Sequence, residues 1–483
     1  MKNILFVSSE CYPFIKTGGL ADVVGSLPKY FNKKYYDVRI ILPLYAAIKE
    51  EYKEKMVYLK NFYFDYAGQD RYVGLFDLEM DGIKYYFIDN QEYFGASKPY
   101  TNNFEDIIKF IFFDKAVLSS LPNLNFRPDI IHCHDWQTGL IPIYLRSFFL
   151  SNPYYHSIKS IMTIHNLKFQ GVQNKEMIQY YSSLDDWYFE DDRLGFNDNK
   201  DGNMLKGGLV FADAITTVSP SYAEEIKTPL YGEYLDYLMR RRSKDLRGIL
   251  NGLDYNDVNP ESDSKINKNY NIDNAIDGKQ ENKIIMQQKL GLPVDKNKMM
   301  IGIVSRLTDQ KGFDLILTIF EKLCHYDIQL IVLGTGEKDY ENSFKYFEWK
   351  YPNKVKACIY YSEEMSRQIY AASDAFLMPS LFEPCGLSQL FALRYGSLPI
   401  VRETGGLKDT VQPYNYVTNT GNGFSFANYS SEELFKTCEV AIGLYYDYRD
   451  NYNKMIKRAM SCDFSWSQQV LKYQEMYDWL LNS

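Results

Sequence analysis

The chain has 483 residues, and this length indicates two or three domains. Its composition, 46% hydrophobic and 24% charged residues, is typical of a globular protein. The formal net charge of −8 argues against a general nucleic-acid binder or a protein of anionic membrane surfaces, and no run of about 18 apolar residues is present to span a bilayer. Seven cysteines, without a C-x-x-C pair, predict reduced thiols in a cytoplasmic protein, and Glu10 interrupts the first apolar run too early for a signal peptide.

Apolar runs typical of buried parallel strands alternate with helical patterns along the chain. The runs in the first half are residues 4–8, 38–43, 129–134, 160–165 and 214–219. The runs in the second half are residues 299–305, 328–334, 355–361, 375–380 and 398–402. Alternation of strands and helices predicts doubly wound parallel α/β sheets, and two series predict two Rossmann-like domains.

The composition also predicts where the domains begin and end. Residues 1–253 are expected to form the first domain and residues 284–462 the second. Residues 254–283 are rich in Asn, Asp, Ser and Lys and poor in aliphatic side chains, which predicts a linker or hinge. Residues 463–483 follow the pattern of an amphipathic helix, which we expect to pack back on the first domain.

The first glycine-rich loop is Lys-Thr-Gly-Gly-Leu-Ala-Asp at residues 16–22, between a predicted strand and a predicted helix. Adjacent glycines let backbone amides come close to an oxyanion, and Lys16 adds a positive charge. The loop is not G-x-G-x-x-G, so it is a weak indication of a dinucleotide fold. A contact with a phosphate or substrate and an ordinary surface loop are both compatible with these residues.

Polar side chains follow two apolar strands of the first half. One strand ends in His-Cys-His-Asp-Trp at residues 132–136, and His165 and Asn166 end the next. No further ligand at a recognisable spacing supports a metal site, which leaves structural histidines or groups that touch a sugar. Trp136 beside Asp135 suits a carbohydrate, because a flat apolar ring meets the C–H face of a sugar while a carboxylate accepts its hydroxyls.

Two motifs of the second half follow strands and open helices. In Ser-Arg-Leu-Thr-Asp-Gln-Lys-Gly at residues 305–312, Arg306 and Lys311 flank a helix amino terminus, so two cations and the helix dipole act on one spot, as a diphosphate demands. Phe-Glu-Pro-Cys-Gly-Leu-Ser at residues 382–388 forms a turn with one carboxylate, Glu383, at the end of a parallel strand, where ligands of open α/β sheets bind. A charged surface turn and a solvated glutamate are the alternatives.

With the motifs at 16–22, 132–136, 306–311 and 383–389, the chain resembles the bacterial glycogen synthases and the plant starch synthases, which are retaining glucosyltransferases of the GT-B fold. Further motifs of the resemblance lie at residues 206–213, 217–226 and 251–254. The resemblance implies two Rossmann-like domains with a deep interdomain cleft. It also implies transfer of glucose from ADP-glucose to the non-reducing end of an α-1,4-glucan such as glycogen, with retention and release of ADP.

Together with the motifs above, the resemblance implies a set of site residues. The expected catalytic residues are Glu383, Lys311, Arg306 and His165. The expected substrate-binding residues are Lys16, Gly18, Gly19, Asp22, Asp135, Trp136, Asn166, Asn251, Tyr361, Cys385, Gly386, Leu387 and Ser388. No metal and no cofactor are expected, because GT-B enzymes stabilise the leaving diphosphate without a metal and the chain has no D-x-D triplet.

Two alternatives to this function remain open. One is another retaining GT-B transferase that uses UDP-glucose or a small acceptor, and the other is an inactive protein that only binds glucan. The second has little support, because Lys16, Arg306, Lys311 and Glu383 are all present. Neither nucleic acid nor membrane is expected as a partner, and the sequence does not indicate an oligomeric state.

Overall fold

The computed structural model describes residues 1–96 and 98–482, so Ser483, the last residue of the predicted carboxyl-terminal helix, lies outside the described residues. The chain forms two compact units. The first unit comprises Met1–Val218, Ala223–Gly252 and the segment from Trp466 onward, and the second comprises Ser219–Tyr222 and Leu253–Ser465. Each unit contains a mainly parallel sheet with helical connections, which confirms the predicted pair of doubly wound α/β folds.

Strands and helices alternate over most of the chain. The strands are β1 (Lys2–Val7), β2 (Tyr36–Pro43), β3 (Val57–Tyr66), β4 (Gln69–Met80), β5 (Ile83–Asp89), β6 (Ile130–His134), β7 (Lys159–Ile164), β8 (Val172–Asn174), β9 (Gly195–Phe196), β10 (Asp201–Asn203), β11 (Ala214–Thr217), β12 (Leu246–Gly248), β13 (Met299–Val304), β14 (Ile328–Leu333), β15 (Val355–Cys358), β16 (Ala375–Met378), β17 (Leu398–Arg402) and β18 (Phe424–Phe426). The helices are α1 (Gly19–Ser26), α2 (Glu50–Lys53), α3 (Gln91–Phe94), α4 (Asn103–Ser120), α5 (Ile141–Leu145), α6 (Lys175–Ser182), α7 (Met204–Phe211), α8 (Pro220–Glu225), α9 (Asp236–Arg241), α10 (Ala275–Leu290), α11 (Phe313–Leu323), α12 (Lys338–Lys350), α13 (Glu363–Ala372), α14 (Ser388–Arg394), α15 (Gly405–Thr410), α16 (Ser431–Asp447), α17 (Arg449–Ser461) and α18 (Trp466–Asn482).

The first unit is built on a nine-stranded sheet with the order β12-β11-β7-β6-β1-β2-β5-β4-β3. The strands from β12 to β5 are parallel, and β4 and β3 continue the sheet as antiparallel strands. Residues 4–7 of the central strand β1 are fully buried, which explains their unbroken apolar run. The order of strands reverses between β1 and β6, and ligands of open α/β sheets bind at such a switch point.

The strands predicted in the first half are confirmed as β1, β2, β6, β7 and β11, with ends that differ by a few residues at most. The parallel strand β5 and the antiparallel strands β4 and β3 are not predicted from the sequence. Strand β3 is an edge strand with largely exposed side chains, so its sequence lacks the alternation of a half-buried strand. The local signal for this hairpin is Asp81-Gly82, whose φ values of 55° and 70° suit a tight turn between β4 and β5.

The second unit is built on a six-stranded parallel sheet with the order β15-β14-β13-β16-β17-β18. Counted within the unit, this is the 3-2-1-4-5-6 order of dinucleotide-binding Rossmann sheets. All strands predicted in the second half are confirmed as β13 to β17. The switch point lies between β13 and β16, so the loops that follow these two strands are the expected ligand-binding loops.

Residues 254–283 are folded into the second unit, which differs from the predicted linker. Val258, Ile266 and Tyr270 belong to the hydrophobic core of this unit, and α10 begins within the segment. The ammonium group of Lys279 is buried and donates hydrogen bonds to the backbone carbonyls of Tyr370 at 3.1 Å, and of Ala371 and Tyr395 at 3.0 Å each. A polar composition therefore does not exclude that a segment contributes buried residues to a core. A hinge role for the segment stays a prediction.

Helix α18 belongs to the first unit. Tyr477 stacks on Phe31 with ring centroids 5.5 Å apart, and the hydroxyl of Tyr36 donates to Asp478 at 2.8 Å. The buried apolar side chains of the helix recur every three or four residues, at Trp466, Val470, Tyr473, Met476, Tyr477 and Leu480. The amphipathic pattern of the sequence is thus the buried face of this helix. Among the described residues, none of the helices is both long and apolar enough to cross a membrane.

Candidate functional site

In the second unit, the loop after β13 and the turn after β16 contact each other at the switch point of the sheet. The backbone N–H of Leu381 donates to the carbonyl of Gln310 at 2.9 Å, and the Gln310 side-chain amide donates to the carbonyl of Phe382 at 3.2 Å. Gly312 has a φ of 73°, and a Cβ atom there would overlap the carbonyl oxygen of Pro379. The glycine is therefore required both by its conformation and by this close approach.

An ion pair lies where these two segments meet. Lys311 Nζ is 2.6 Å from Glu383 Oε2, and the two side chains are only 14% and 8% exposed. The hydroxyl of Ser380 donates to the same carboxylate oxygen at 3.0 Å. The sequence analysis treats Lys311 and Glu383 as separate candidates, and the structure brings them into direct contact. A charge-assisted bond with this little exposure fixes both side chains in place.

Backbone and side-chain contacts hold the turn that carries Glu383. Buried Arg402 donates through Nε to the carbonyl of Ser380 at 2.9 Å, and through its guanidinium to the carbonyl of Leu381. The N–H of Gly406 donates to the carbonyl of Glu383 at 3.1 Å. Arg402 supports the turn and is not singled out from the sequence. Its signal is a cation at the end of an otherwise apolar strand.

The remaining candidates of the second unit surround this turn. Gly386, with a φ of 74°, leads into α14, whose first-turn N–H groups lack partners within the helix. Cys385 is buried, whereas Leu387 and Ser388 are partly exposed. Arg306 is exposed on the loop after β13, and Tyr361 is 76% exposed beyond β15. Within the described part of the chain, neither Arg306 nor Tyr361 makes a side-chain hydrogen bond, so both are available to a ligand.

In the first unit, the loop after β1 is tied down by a buried carboxylate. Glu10 is 3% exposed, and its side chain accepts hydrogen bonds from the hydroxyls of Thr17 and Tyr100, each at 2.6 Å. Lys16 Nζ lies 2.7 Å from Asp22 Oδ1 in a partly exposed ion pair. Helix α1 begins at Gly19, and a Cβ atom at its N-cap Gly18 would meet no atom within 4 Å. Glu10 and Tyr100 are missed by the sequence analysis, although an acidic residue after a buried strand is a signal.

The strands β6 and β7 end in a cluster of polar groups. Asp135 has a φ of 58°, an uncommon conformation outside glycine that is often found at functional sites, and it accepts a hydrogen bond from the N–H of His165 at 2.7 Å. Burial raises the pKa of Asp135 to about 7, against the opposing effect of the N–H groups of His165 and Asn166. Burial also lowers the pKa of His165 to about 3, so this imidazole is uncharged at neutral pH.

Trp136 and Asn251 are buried, each in a different way. Trp136 is 7% exposed and lies edge-on to Phe110 with ring centroids 5.4 Å apart, and Gly171 covers its six-membered ring so closely that a Cβ there would overlap it. This packing differs from the free ring face that the sequence analysis suggests for sugar stacking. Asn251 is 5% exposed, and its Oδ1 has no hydrogen-bond partner among the described residues.

Within residues 1–96 and 98–482, no group of three or more His, Cys, Asp or Glu side chains is placed to hold a metal ion.

Comparison with known proteins relates both units to one group of enzymes. The family described as "Starch synthase catalytic domain" matches residues 3–241, and "Glycosyl transferases group 1" matches residues 284–460. The chain is 58% identical to a glycogen synthase of Lachnospira eligens over 478 residues, which are 99% of this chain and 100% of the relative. It is 56% identical to a glycogen synthase of Lachnoclostridium phytofermentans over the same shares of both chains.

A solved structure agrees with these sequence relatives. The catalytic domain of Starch Synthase IV from Arabidopsis thaliana, bound to ADP and acarbose, superimposes with a TM-score of 0.91 at 30% identity and covers 100% of this chain and 99% of that one. Sucrose-phosphate synthase from Thermosynechococcus elongatus superimposes with a TM-score of 0.63 at 17% identity over 100% of both chains, which shows a shared fold alone.

Proposed function

Because this chain belongs to the family of bacterial glycogen synthases and starch synthases, which are glycosyltransferases of the GT-B fold, we propose that it transfers glucose from ADP-glucose to the non-reducing end of an α-1,4-glucan. The transfer retains the anomeric configuration and releases ADP. The observation that carries the proposal is the Lys311–Glu383 ion pair at the switch point of a Rossmann sheet. ADP in the related Arabidopsis structure supports the choice of nucleotide.

Lys311 is the proposed stabiliser of the leaving group. Negative charge grows on the diphosphate as ADP departs, and a cation that is already fixed in position stabilises that charge without reorganising. Lys311 is held by its ion pair, and Arg306 is free to add a second cation from the same loop. The N–H groups that begin α14 add further donors for phosphate oxygens. The exposed ring of Tyr361 is our candidate for stacking with the adenine.

Glu383 is the proposed partner of the transferred sugar. A diphosphate that binds Lys311 competes with Glu383 for the ammonium group. The negative charge of Glu383 is then less neutralised by Lys311. In that state it stabilises the positive charge that develops on the glucosyl ring, and it also accepts hydrogen bonds from the sugar hydroxyls. The bond from Ser380 keeps the carboxylate aimed while its ion pair is weakened.

The first unit is proposed to bind the transferred glucose through uncharged groups and the rest of the donor through its glycine-rich loop. His165 and Asn166 are the candidates for the glucosyl hydroxyls, and Asp135 holds their backbone in place. Lys16, Gly18, Gly19 and Asp22 belong to the glycine-rich loop that we assign to the donor. Asn251, whose buried oxygen has no partner among the described residues, is a further candidate. We also propose a cytoplasmic location, because all seven cysteines are free thiols.

The experiment is an assay of ADP release from ADP-glucose with glycogen as the acceptor. We expect release that depends on glycogen, together with glucan chains that grow by α-1,4 linkages. UDP-glucose is the matched control donor, and we expect a lower kcat/KM for it. Higher kcat/KM with UDP-glucose would favour the alternative GT-B transferase, and no release with either donor would favour a protein that only binds glucan.

A further inference from the structure

The cross-strand pair formed by His134 and His165 has a geometry that the strand register explains. In the parallel pair β6–β7, His134 lies opposite Thr163, and His165 follows two residues later on the same face of the sheet. The two rings meet at the ends of their strands, where His134 Nδ1 lies 3.0 Å from His165 Nε2. This is a hydrogen bond between two imidazoles, so one ring must donate and the other must accept.

Both rings are neutral at neutral pH. His134 is 1% exposed, stacked on His132 with centroids 4.5 Å apart and tilted against Phe6 at 5.2 Å. Burial lowers the pKa of His134 well below its usual value and lowers that of His165 to about 3. A neutral imidazole carries one N–H donor and one bare nitrogen acceptor. The ring that donates is therefore protonated on the nitrogen in the bond, and the ring that accepts is protonated on its other nitrogen.

The environment of His134 Nε2 decides between the two possible arrangements. This atom is buried and has no hydrogen-bond partner among the described residues. If His165 were the donor, His134 would carry its proton on Nε2 and leave a buried N–H without an acceptor, which costs about 1–3 kcal/mol. If His134 is the donor, the unpartnered atom is a bare nitrogen, and buried acceptors without a partner are better tolerated than buried donors.

We infer that His134 is a positioning residue that donates from Nδ1 to His165 Nε2 and thereby fixes His165 in the tautomer protonated on Nδ1. The side chain of Asp135 accepts the backbone N–H of His165 at 2.7 Å, and among the described residues it makes no hydrogen bond to the His165 ring. Nδ1 of His165 makes no hydrogen bond within the described chain, and the residue is partly exposed. His165 therefore presents an N–H donor to an approaching ligand oxygen.

The consequence for catalysis rests on the proposed function. A sugar hydroxyl oxygen near His165 accepts a hydrogen bond from Nδ1–H, and the opposite tautomer would present a lone pair to it instead. A fixed tautomer also fixes the ring plane, so the donor is aimed before the sugar arrives. His134 acts in this way without touching the substrate.

The test measures the tautomer first and activity second. The chain has five histidines, so ¹⁵N-histidine labelling gives a sparse long-range ¹H–¹⁵N spectrum in which the two nitrogens of each ring are distinguished. A His165→Gln sample assigns the signals of His165 by their loss. We expect the ligand-free parent protein to show His165 protonated on Nδ1 and bare on Nε2. The opposite tautomer in the parent would overturn the inference without any variant.

Two variants of His134 then separate a positioning role from a packing role. In His134→Asn the side-chain amide places a donor near the former Nδ1, whereas His134→Phe keeps a ring and removes the donor. We expect His134→Phe to mix the tautomers of His165 and to lower kcat/KM for ADP-glucose by roughly 10–100-fold, if the loss of partners that orient metal-bound imidazoles is a fair guide. His134→Asn should retain the parent tautomer and most of the activity.

His132→Phe is the matched control, because His132 is equally buried on the same strand and bonds Thr163 and Tyr477 instead of His165. It should destabilise the protein and leave the His165 tautomer unchanged. An unchanged tautomer in His134→Phe would overturn the inference. If the parent released no ADP while the tautomer results held, the proposed function would fail and the tautomer assignment would stand.

Discussion

The groups at the carboxyl ends of β6 and β7 in the first unit differ in charge from those at the switch point of the second unit. In the first unit, burial keeps the imidazoles of His132 and His165 uncharged, with pKa values lowered to about 3. In the second unit, the switch point holds a full ion pair, Lys311 with Glu383 at 2.6 Å. Neutral groups orient a ligand through directional hydrogen bonds, whereas fixed charges stabilise the charge that develops on the ligand during the reaction. We therefore expect the second unit to control the rate and the first to control alignment.

The largest expected effect is that of removing the cation of the second unit. Lys311→Gln should lower kcat and kcat/KM together by roughly 10²–10³-fold, the usual loss for one preorganised group that stabilises a developing oxyanion. ADP release measures this loss, and circular dichroism checks the fold. Lys338→Gln is the matched control, because Lys338 is 81% exposed in the same unit, and it should keep normal turnover. Near-normal turnover of folded Lys311→Gln would refute the role of Lys311.

The next effect concerns the carboxylate. Glu383→Gln keeps the size and hydrogen-bonding capacity of the side chain but loses its charge, so we expect kcat to fall by roughly 10²-fold. Because either substitution removes the same ion pair, the double variant Lys311→Gln/Glu383→Gln should lose less activity than the product of the single losses. A raised KM with unchanged kcat would restrict Glu383 to binding hydroxyls, and a simple product would show that the two residues act independently.

A smaller effect, the pH dependence of stability, tests whether the imidazole of His132 is uncharged in the folded protein. The pKa of His132 is about 6.5 in the unfolded chain, and burial lowers it to about 3 in the folded protein. Because the unfolded chain then binds a proton that the folded protein does not, acid destabilises the parent protein through this group. His132→Asn lacks this titration. The stability gap between parent and variant should therefore shrink by about 1.4 kcal/mol per pH unit below 6.5, about 2 kcal/mol by pH 5.

Urea unfolding at pH 7, 6 and 5 measures this gap. The exposed His156 gives the control variant His156→Asn, for which we expect a constant difference from the parent. A gap for His132→Asn that stays the same at all three pH values would show that folding does not lower the pKa of His132.

The smallest expected effect is that of a chelator. If Lys311 and Arg306 supply the positive charge for the leaving diphosphate, excess EDTA should leave ADP release unchanged. The control adds magnesium or manganese to the chelated enzyme at the same ionic strength. Activity that requires either added ion would contradict a leaving-group site made of protein cations alone.

The parallel strands other than β5, β12 and β18 are predictable from the sequence because they are largely buried and read as apolar runs. β3 is not, because its exposed side chains follow no hydrophobic period. The buried residues of the segment from 254 to 283 are missed for a different reason. Its buried polar groups have partners far along the chain, such as the carbonyl of Tyr395 for Lys279, and composition alone cannot distinguish a buried lysine from a solvated one.

The candidate site shows the same division. The residues at strand ends, such as Lys311 and Glu383, can be predicted because parallel strands bring their carboxyl ends to one edge. Their direct contact cannot be predicted, since it depends on the close approach of Gly312 to the next loop. Supporting residues such as Arg402 and Glu10 are missed because they act through hydrogen bonds to backbone groups and hydroxyls elsewhere in the fold. Those partners cannot be identified from the sequence.

The membership of α18 in the first unit has a consequence for how the protein is made. A ribosome delivers this helix only after the entire second unit, so the first unit emerges early but waits for its last helix. Until then the Nδ1 of His132 lacks its bond to Tyr477 and the ring of Phe31 lacks its stacking partner. The nascent first unit therefore exposes an apolar surface during synthesis, and a chain interrupted before Trp466 keeps that surface permanently.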